Sequence, residues 1–121
     1  MRKVLSSSLY VRKSWKNGQG TQEIMVWPPG TEDFDWRMSI ADLKESGAFS
    51  HFPDYHRILV LIEGDAIGLD QSGNHTELPL LTPLAFDGGI NTYAHVAAPG
   101  RDFNLMMRKG KVSGRITIGI G

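Results

Sequence analysis

The sequence predicts an all-β fold. Fourteen glycines and six prolines divide the 121 residues into short apolar segments, a spacing typical of sandwiches and barrels. Several of these segments alternate apolar and polar residues with period two, as strands with one buried face do. Residues 41–47 are polar and end at a glycine, so they support a single helical turn or a loop at most.

The predicted strands follow one another between turn residues. The first, Glu23 to Trp27, ends at Pro28-Pro29-Gly30, and in the second, 34–41, Trp36, Met38 and Ile40 alternate with polar residues. Further strands are expected at 57–62, 66–70, 75–80, 84–86, 91–97, 102–108 and 116–120. The segments from 57 to 80 predict a β-meander. The last strand would be an exposed edge, which favours pairing with a second copy.

Composition limits the classes of function. With 40% hydrophobic residues, the chain fits one domain covering 1–121. Thirteen basic residues balance thirteen acidic ones, so there is no positive field that would attract nucleic acid. No run of roughly 18 apolar residues could span a membrane, and serines break the apolar start, which makes it a poor signal peptide. We therefore expect a cytoplasmic protein without nucleic-acid or membrane partners.

Arg57 is the most informative single residue. It lies at the entry of an apolar strand, after the polar and aromatic residues 49–56. Arg37 lies on the strand face opposite Trp36. A guanidinium matches a carboxylate through two parallel hydrogen bonds, so either arginine could bind an acidic ligand. The sequence leaves open an internal ion pair, whose acidic partner would be Asp35, Asp102 or Glu23.

The four histidines do not form a metal-binding pattern. A cupin-type metal site needs a His-x-His pair, because alternate residues of a strand face the same ion. His51 and His56 are five positions apart, and His75 and His95 are isolated. We therefore predict no bound transition metal and no cofactor. The chain also has no cysteine and no Gly-x-Ser-x-Gly motif, so a nucleophilic enzyme finds little support.

A succession of strands and Gly-containing turns, followed by a Leu-x-Pro step at Leu81 to Pro83, is typical of a cupin-like jelly roll. Motifs distributed from Trp15 to Arg108 together resemble the HutD/Ves family. The matching residues are Trp15-Lys16-Asn17-Gly18, Gly20-Thr21, Glu23-Ile24, Phe34-Asp35-Trp36-Arg37, Ser39, Ala41, Gly47, Phe49-Ser50, Phe52-Pro53, Arg57, Leu81, Pro83, Phe86, Gly88, Asp102-Phe103-Asn104, Met106 and Arg108.

This resemblance implies a cupin-like β-barrel linked in some bacteria to histidine utilisation, without an established enzymatic activity. Family members usually continue into a second barrel-like half, so the chain is expected to form a single barrel or a partial bicupin. Pairing of two copies as a homodimer would supply the other half. The chain departs from the family pattern at Asp54 and His56, where a glycine and an acidic residue are expected.

Together these observations predict a protein that binds a small anionic carboxylate metabolite and serves as a sensor or regulator, not a catalyst. Arg57 would hold the carboxylate. The residues expected to orient the ligand or to wall the pocket are Arg37, Thr21, Glu23, Asn104, Phe52, Trp36 and Phe86. One alternative is a metal-free isomerase or hydrolase of small acids, with His56 or Glu63 as base. Another is a structural dimer without a ligand.

Overall fold

The structure, a computed structural model, describes residues 11–14, 20–30 and 33–118. These residues form ten strands and no helix, which confirms the all-β prediction, and hence none of them belongs to a helix that could cross a membrane. The strands are β1 Val11–Ser14, β2 Gly20–Trp27, β3 Trp36–Leu43, β4 Gly47–Ala48, β5 Tyr55–Glu63, β6 Ile67–Gln71, β7 Asn74–Leu78, β8 Leu84–Asp87, β9 Thr92–His95 and β10 Gly100–Arg108.

The strands form two antiparallel sheets that share one core. The larger has the order β1-β2-β3-β10-β5-β8, and the smaller has the order β4-β9-β6-β7. Leucines of β3 and β5 pack against apolar side chains of the smaller sheet, as in a cupin-like jelly roll. The buried residues of this core are Leu43, Leu59, Leu61, Ile67, Leu69, Leu78 and Ala94.

The register of the central strand β10 determines which side chains face inward. Residues opposite each other in an antiparallel pair share a face. Asn104 pairs with Ser39 of β3 and with Leu59 of β5. Met106 pairs with Arg37 on one side and with Arg57 on the other. Both arginines therefore lie on the same face of the large sheet as the core leucines.

The structure corrects two predictions, the helical turn after Ala41 and the β-meander. The polar segment after Ala41 forms no helical turn, since β3 continues to Leu43, whose side chain is buried in the core. The expected meander is wrong because β5 pairs within the large sheet whereas β6 and β7 belong to the small one. The chain changes sheet at Gly64, which has a φ of 105° and lies against Gly100, a conformation suited to glycine.

The expected C-terminal strand is also corrected. Residues 116–118 have no strand pairing, and positions 119–120 lie outside the described residues. The segment from Val112 to Gly114 runs beside the outer face of β5 and β8, where it borders a groove together with Met107. Within the described part of the chain, this segment provides no strand edge for a second copy.

Candidate functional site

A cavity of about 240 Å³ lies over the inner face of the large sheet. Its floor comes from β2, β3, β5 and β10, and its cover comes from the segment after β4. The lining residues are Thr21, Arg37, Ser39, Ala41, Leu43, Ala48, Phe49, Ser50, Phe52, Arg57, Asp102, Asn104 and Met106. The wall therefore combines a few charged and polar groups with apolar and aromatic surface, which is the usual composition of a small-molecule site.

Arg57 is buried in this wall, with 6% of its surface exposed. Its Nε donates to Asn104 Oδ1 over 3.3 Å, and one terminal nitrogen donates to the Ser50 carbonyl over 3.2 Å. Phenyl rings surround the guanidinium at 5.3 to 5.7 Å, a cation–π arrangement, and belong to Phe49, Phe52 and Phe86. Burial lowers the pKa of Arg57 to about 10, so the group stays cationic at neutral pH.

Arg37 is a second cation in the same cavity. Its guanidinium carbon lies 5.5 Å from the centre of the Phe34 ring, and its Nε is buried without a hydrogen-bond partner among the described residues. Burial lowers the pKa of Arg37, and the attraction of Glu23 opposes that effect. This Nε–H can therefore still donate to an anionic ligand.

Asp102 is the acidic group of the cavity and exposes only 2% of its surface. Burial raises its pKa to about 7, against the attraction of Arg57 and a backbone hydrogen bond from Ala41. Over the part of the chain that the structure describes, its Oδ1 has no hydrogen-bond partner. Sequence reasoning considered Asp102 only as an ion-pair partner and missed it as a cavity group. The signal was its alternation with Asn104 and Met106, which places all three on one strand face.

The structure brings most of the predicted ligand residues together. Arg57, Arg37, Thr21, Asn104 and Phe52 all line the cavity, and Phe86 covers the Arg57 guanidinium. These side chains lie together because the inward-facing residues of β3, β5 and β10 are aligned by one continuous register.

Two of the predicted residues lie outside the cavity wall. Trp36 pairs with Met107 on the opposite face of the sheet, so the expectation that it walls the pocket is corrected. Glu23 pairs with Ser39 and acts on Arg37 through its charge, but it does not line the cavity. An irregularity in β2 directly after Glu23 shifts the register between β2 and β3. A strict period-two pattern does not predict such an irregularity.

The proposed catalytic bases lie outside the cavity described above, although His56 borders the outer groove together with Arg57. His56 precedes Arg57 in β5 and therefore points to the opposite face, where it is exposed. Glu63 ends the same strand, and 67% of its side chain is exposed. Its Oε2 lies 3.7 Å from Arg101 Nε. Neither residue lines the Arg57 cavity. Over the described residues, no three His, Asp or Glu side chains are arranged to hold a metal ion.

The segment that covers the cavity is held by a network of backbone hydrogen bonds. The Phe52 N–H donates to the Gly88 carbonyl and the Gly88 N–H donates to the Tyr55 carbonyl, each over 2.8 Å. The Lys109 ammonium donates to the Pro53 carbonyl over 2.7 Å. These contacts position Phe52 and the Ser50 carbonyl against Arg57.

A separate cluster of titratable groups lies on the exposed face of the small sheet. The Asp70 carboxylate contacts His75 Nδ1 at 2.5 Å and His95 Nε2 at 2.6 Å, and His75 Nε2 is 2.7 Å from Glu77. Hydrogen bonding to Asp70 and Glu77 raises the pKa of His75, and the histidines lower the pKa of Asp70. The cluster therefore links stability to pH.

We expect His75→Ala to destabilise the protein more at about pH 5.5 than at about pH 8.5. The stabilisation from His75 is complete below its ordinary pKa of 6.5 and is lost as the pH rises through the raised value. The stabilisation from Asp70 is present above its ordinary value of 3.8 and is lost as the pH falls through the lowered value. Urea unfolding at both pH values measures the effect. Thr76→Ala, on the same strand, should change stability equally at both, and a pH-independent effect of His75→Ala would contradict the expectation.

Residues 7–119 match the model of a protein family described as HutD. Over 109 residues the chain is 38% identical to Protein Ves from Escherichia fergusonii. The matched region covers 86% of this chain and 56% of that protein. The fold is also similar to the structure of HutD from Pseudomonas fluorescens SBW25 determined in a formate condition. That comparison has a TM-score of 0.79 and 39% identity, and it covers 87% of this chain and 59% of that one.

A third comparison shows the fold alone. A Cupin 2 conserved barrel domain protein from Salinispora arenicola superposes with a TM-score of 0.60 at 12% identity, over 78% of this chain and 80% of that one. The architecture is therefore that of a cupin-like barrel. The chain spans between 56% and 59% of the length of the Ves and HutD relatives that it matches.

Proposed function

Because this chain belongs to the HutD/Ves family and has its cupin-like fold, we propose that it binds a small carboxylate metabolite in the cavity around Arg57. A fold shared by many proteins does not determine the ligand. The observation that carries the proposal is the buried Arg57 guanidinium, which lines an open cavity and not a packed core.

The balance of charge in the cavity favours an anion. Arg57 and Arg37 are both cationic, and burial keeps the pKa of Asp102 near 7, so the carboxyl is only partly ionised at neutral pH. The wall therefore has an excess of positive charge, which a ligand carboxylate neutralises through the planar fork of Arg57. The cavity of about 240 Å³ is smaller than most drug-sized sites and suits a small acid.

The arrangement supports binding more strongly than catalysis. His56 and Glu63, the two bases that the sequence suggested, lie outside the cavity, and a general base must be within hydrogen-bonding reach of the proton that it removes. The proposal therefore assigns the protein a sensor or regulator role. Through the family resemblance, its ligand would be an acid of histidine or amino-acid catabolism. We also propose that the protein is cytoplasmic and forms a homodimer.

The test is thermal and chemical stability measured with a panel of small carboxylates that includes formate, acetate, urocanate and N-formylglutamate. A ligand at about 100 times its dissociation constant should stabilise the wild type by roughly 2.7 kcal/mol. Arg57→Ala should abolish the shift. Arg57→Lys should weaken it, because lysine keeps the charge but loses the planar fork. Each acid is also assayed for conversion, and its consumption would assign catalysis to the cavity.

The matched control is Arg101→Ala, which removes the same charge outside the cavity, where Arg101 pairs with Asp42 at 3.2 Å. This variant should retain the full ligand-induced shift. A panel that never stabilises the wild type, or a folded Arg57→Ala that responds as the wild type does, would overturn the proposal.

A further inference from the structure

The charged groups of the cavity floor are arranged along the central strand β10. Met106 pairs with both Arg37 and Arg57. Four residues earlier, Asp102 pairs with Ala41 and Leu61. At about 3.3 Å per residue, these two levels of the floor are about 13 Å apart. The floor thus has an arginine end and an aspartate end.

Asn104 links the two ends. It lies midway between Met106 and Asp102 on β10, and its Oδ1 accepts the hydrogen bond from Arg57 Nε. The Arg57 guanidinium is thereby drawn toward the middle of the floor. A carboxylate bound to Arg57 would extend the rest of its molecule toward Asp102 or toward the mouth of the cavity.

Asp102 offers an unused hydrogen-bond acceptor at its end. Its Oδ1 is buried and has no hydrogen-bond partner within residues 11–14, 20–30 and 33–118, although the backbone N–H of Ala41 bonds to the carboxyl group. The hydrogen bonds of Arg57 go instead to Asn104 and Ser50. Leaving a buried acceptor unpaired is costly, and unpaired groups of this kind in native proteins call for an explanation. A ligand that donates a hydrogen bond supplies one.

The charge of the cavity restricts what that donor can be. Burial raises the pKa of Asp102 to about 7, so an ammonium group at that end would meet an incompletely ionised partner in a cavity that already holds the cations Arg57 and Arg37. An amide N–H or a hydroxyl donates without adding positive charge. We propose that the ligand is a carboxylate that also carries an uncharged hydrogen-bond donor, and that Asp102 is the residue that accepts from it.

This inference rests on the proposed function of the same cavity and adds a rule of specificity. A ligand that lies against Asp102 without donating a hydrogen bond leaves this buried acceptor unpaired, whereas a ligand that donates gains the bond and binds more tightly. Acids that differ only in the donor are therefore distinguished by Asp102, while Arg57 holds the carboxylate that they share.

The experiment compares succinamate with monomethyl succinate by titration calorimetry at about pH 8, where ionised Asp102 can only accept. Both acids carry the same carboxylate, but only the amide has a donor. Succinamate should bind the wild type roughly 10- to 100-fold more tightly, since an unpaired buried acceptor is costly. Asp102→Leu should make the two affinities nearly equal. Asp102→Asn should keep the preference, because its amide carbonyl accepts.

The control is Asp42→Leu, which removes a carboxylate that pairs with Arg101 outside the cavity and should leave the preference unchanged. Equal affinities in the wild type, or a preference that persists in a folded Asp102→Leu, would overturn the inference. If Asp102→Leu does not fold, Asp102→Ala, which also removes the acceptor, should lose the preference and decides the inference by the same ratio. If acetate binds in an Arg57-dependent way but the two succinate derivatives bind with equal affinity, the proposed function stands and this inference fails. If no acid binds, both the proposed function and this inference are overturned.

Discussion

Replacing Leu59 with alanine is expected to lower the free energy of unfolding by about 2–5 kcal/mol. Leu59 has no exposed surface and packs with Leu61 and Leu69 in the core shared by the two sheets. Truncation loses apolar burial and leaves a cavity, and the two effects add. Leu59 also pairs with Asn104, so the loss occurs beside the site. Urea unfolding followed by circular dichroism measures the change.

Leu80→Ala is the matched control, because 46% of Leu80 is exposed. The same chemical change there should alter stability by no more than about 0.5 kcal/mol. Similar losses for the two variants would mean that the two sheets do not share the buried core described here.

Gly88→Ala is expected to destabilise the fold by about 1–3 kcal/mol and to weaken carboxylate binding as well. A Cβ at Gly88 would lie 2.4 Å from the Phe52 carbonyl oxygen and 2.9 Å from that of Tyr55. Both are backbone atoms, so the covering segment must move to make room. Phe52 and Ser50 contact Arg57 from this segment. Thermal unfolding and acid titration of the same variant measure the two effects.

The control for this prediction is Gly47→Ala in β4. A Cβ there meets no heavy atom of the described residues within 4 Å, so the variant should fold and bind as the wild type does. A Gly88→Ala protein as stable and as active in binding as Gly47→Ala would show that the covering segment is not held at Gly88.

Period-two alternation predicted much of the fold. It identified the strands that carry Arg37 and Asn104, while a continuous apolar run identified the strand that begins at Arg57. Alternation also argues against Trp36 as a pocket residue, because Trp36 neighbours Arg37 in the strand and so lies on the other face. It could not predict that β5 and β6 belong to different sheets, since a turn is compatible with a hairpin or with a change of sheet.

The sequence by itself determined the all-β class and the HutD/Ves family and predicted Arg57 as a site residue, since local alternation and motifs record these properties. Only the tertiary structure decided the partners of Arg57. Its bonds reach Asn104, 47 positions away, and the Ser50 backbone, and no local pattern specifies such contacts. The unpaired acceptor of Asp102 was likewise decided by packing, because burial and hydrogen bonding depend on every strand around the carboxyl group.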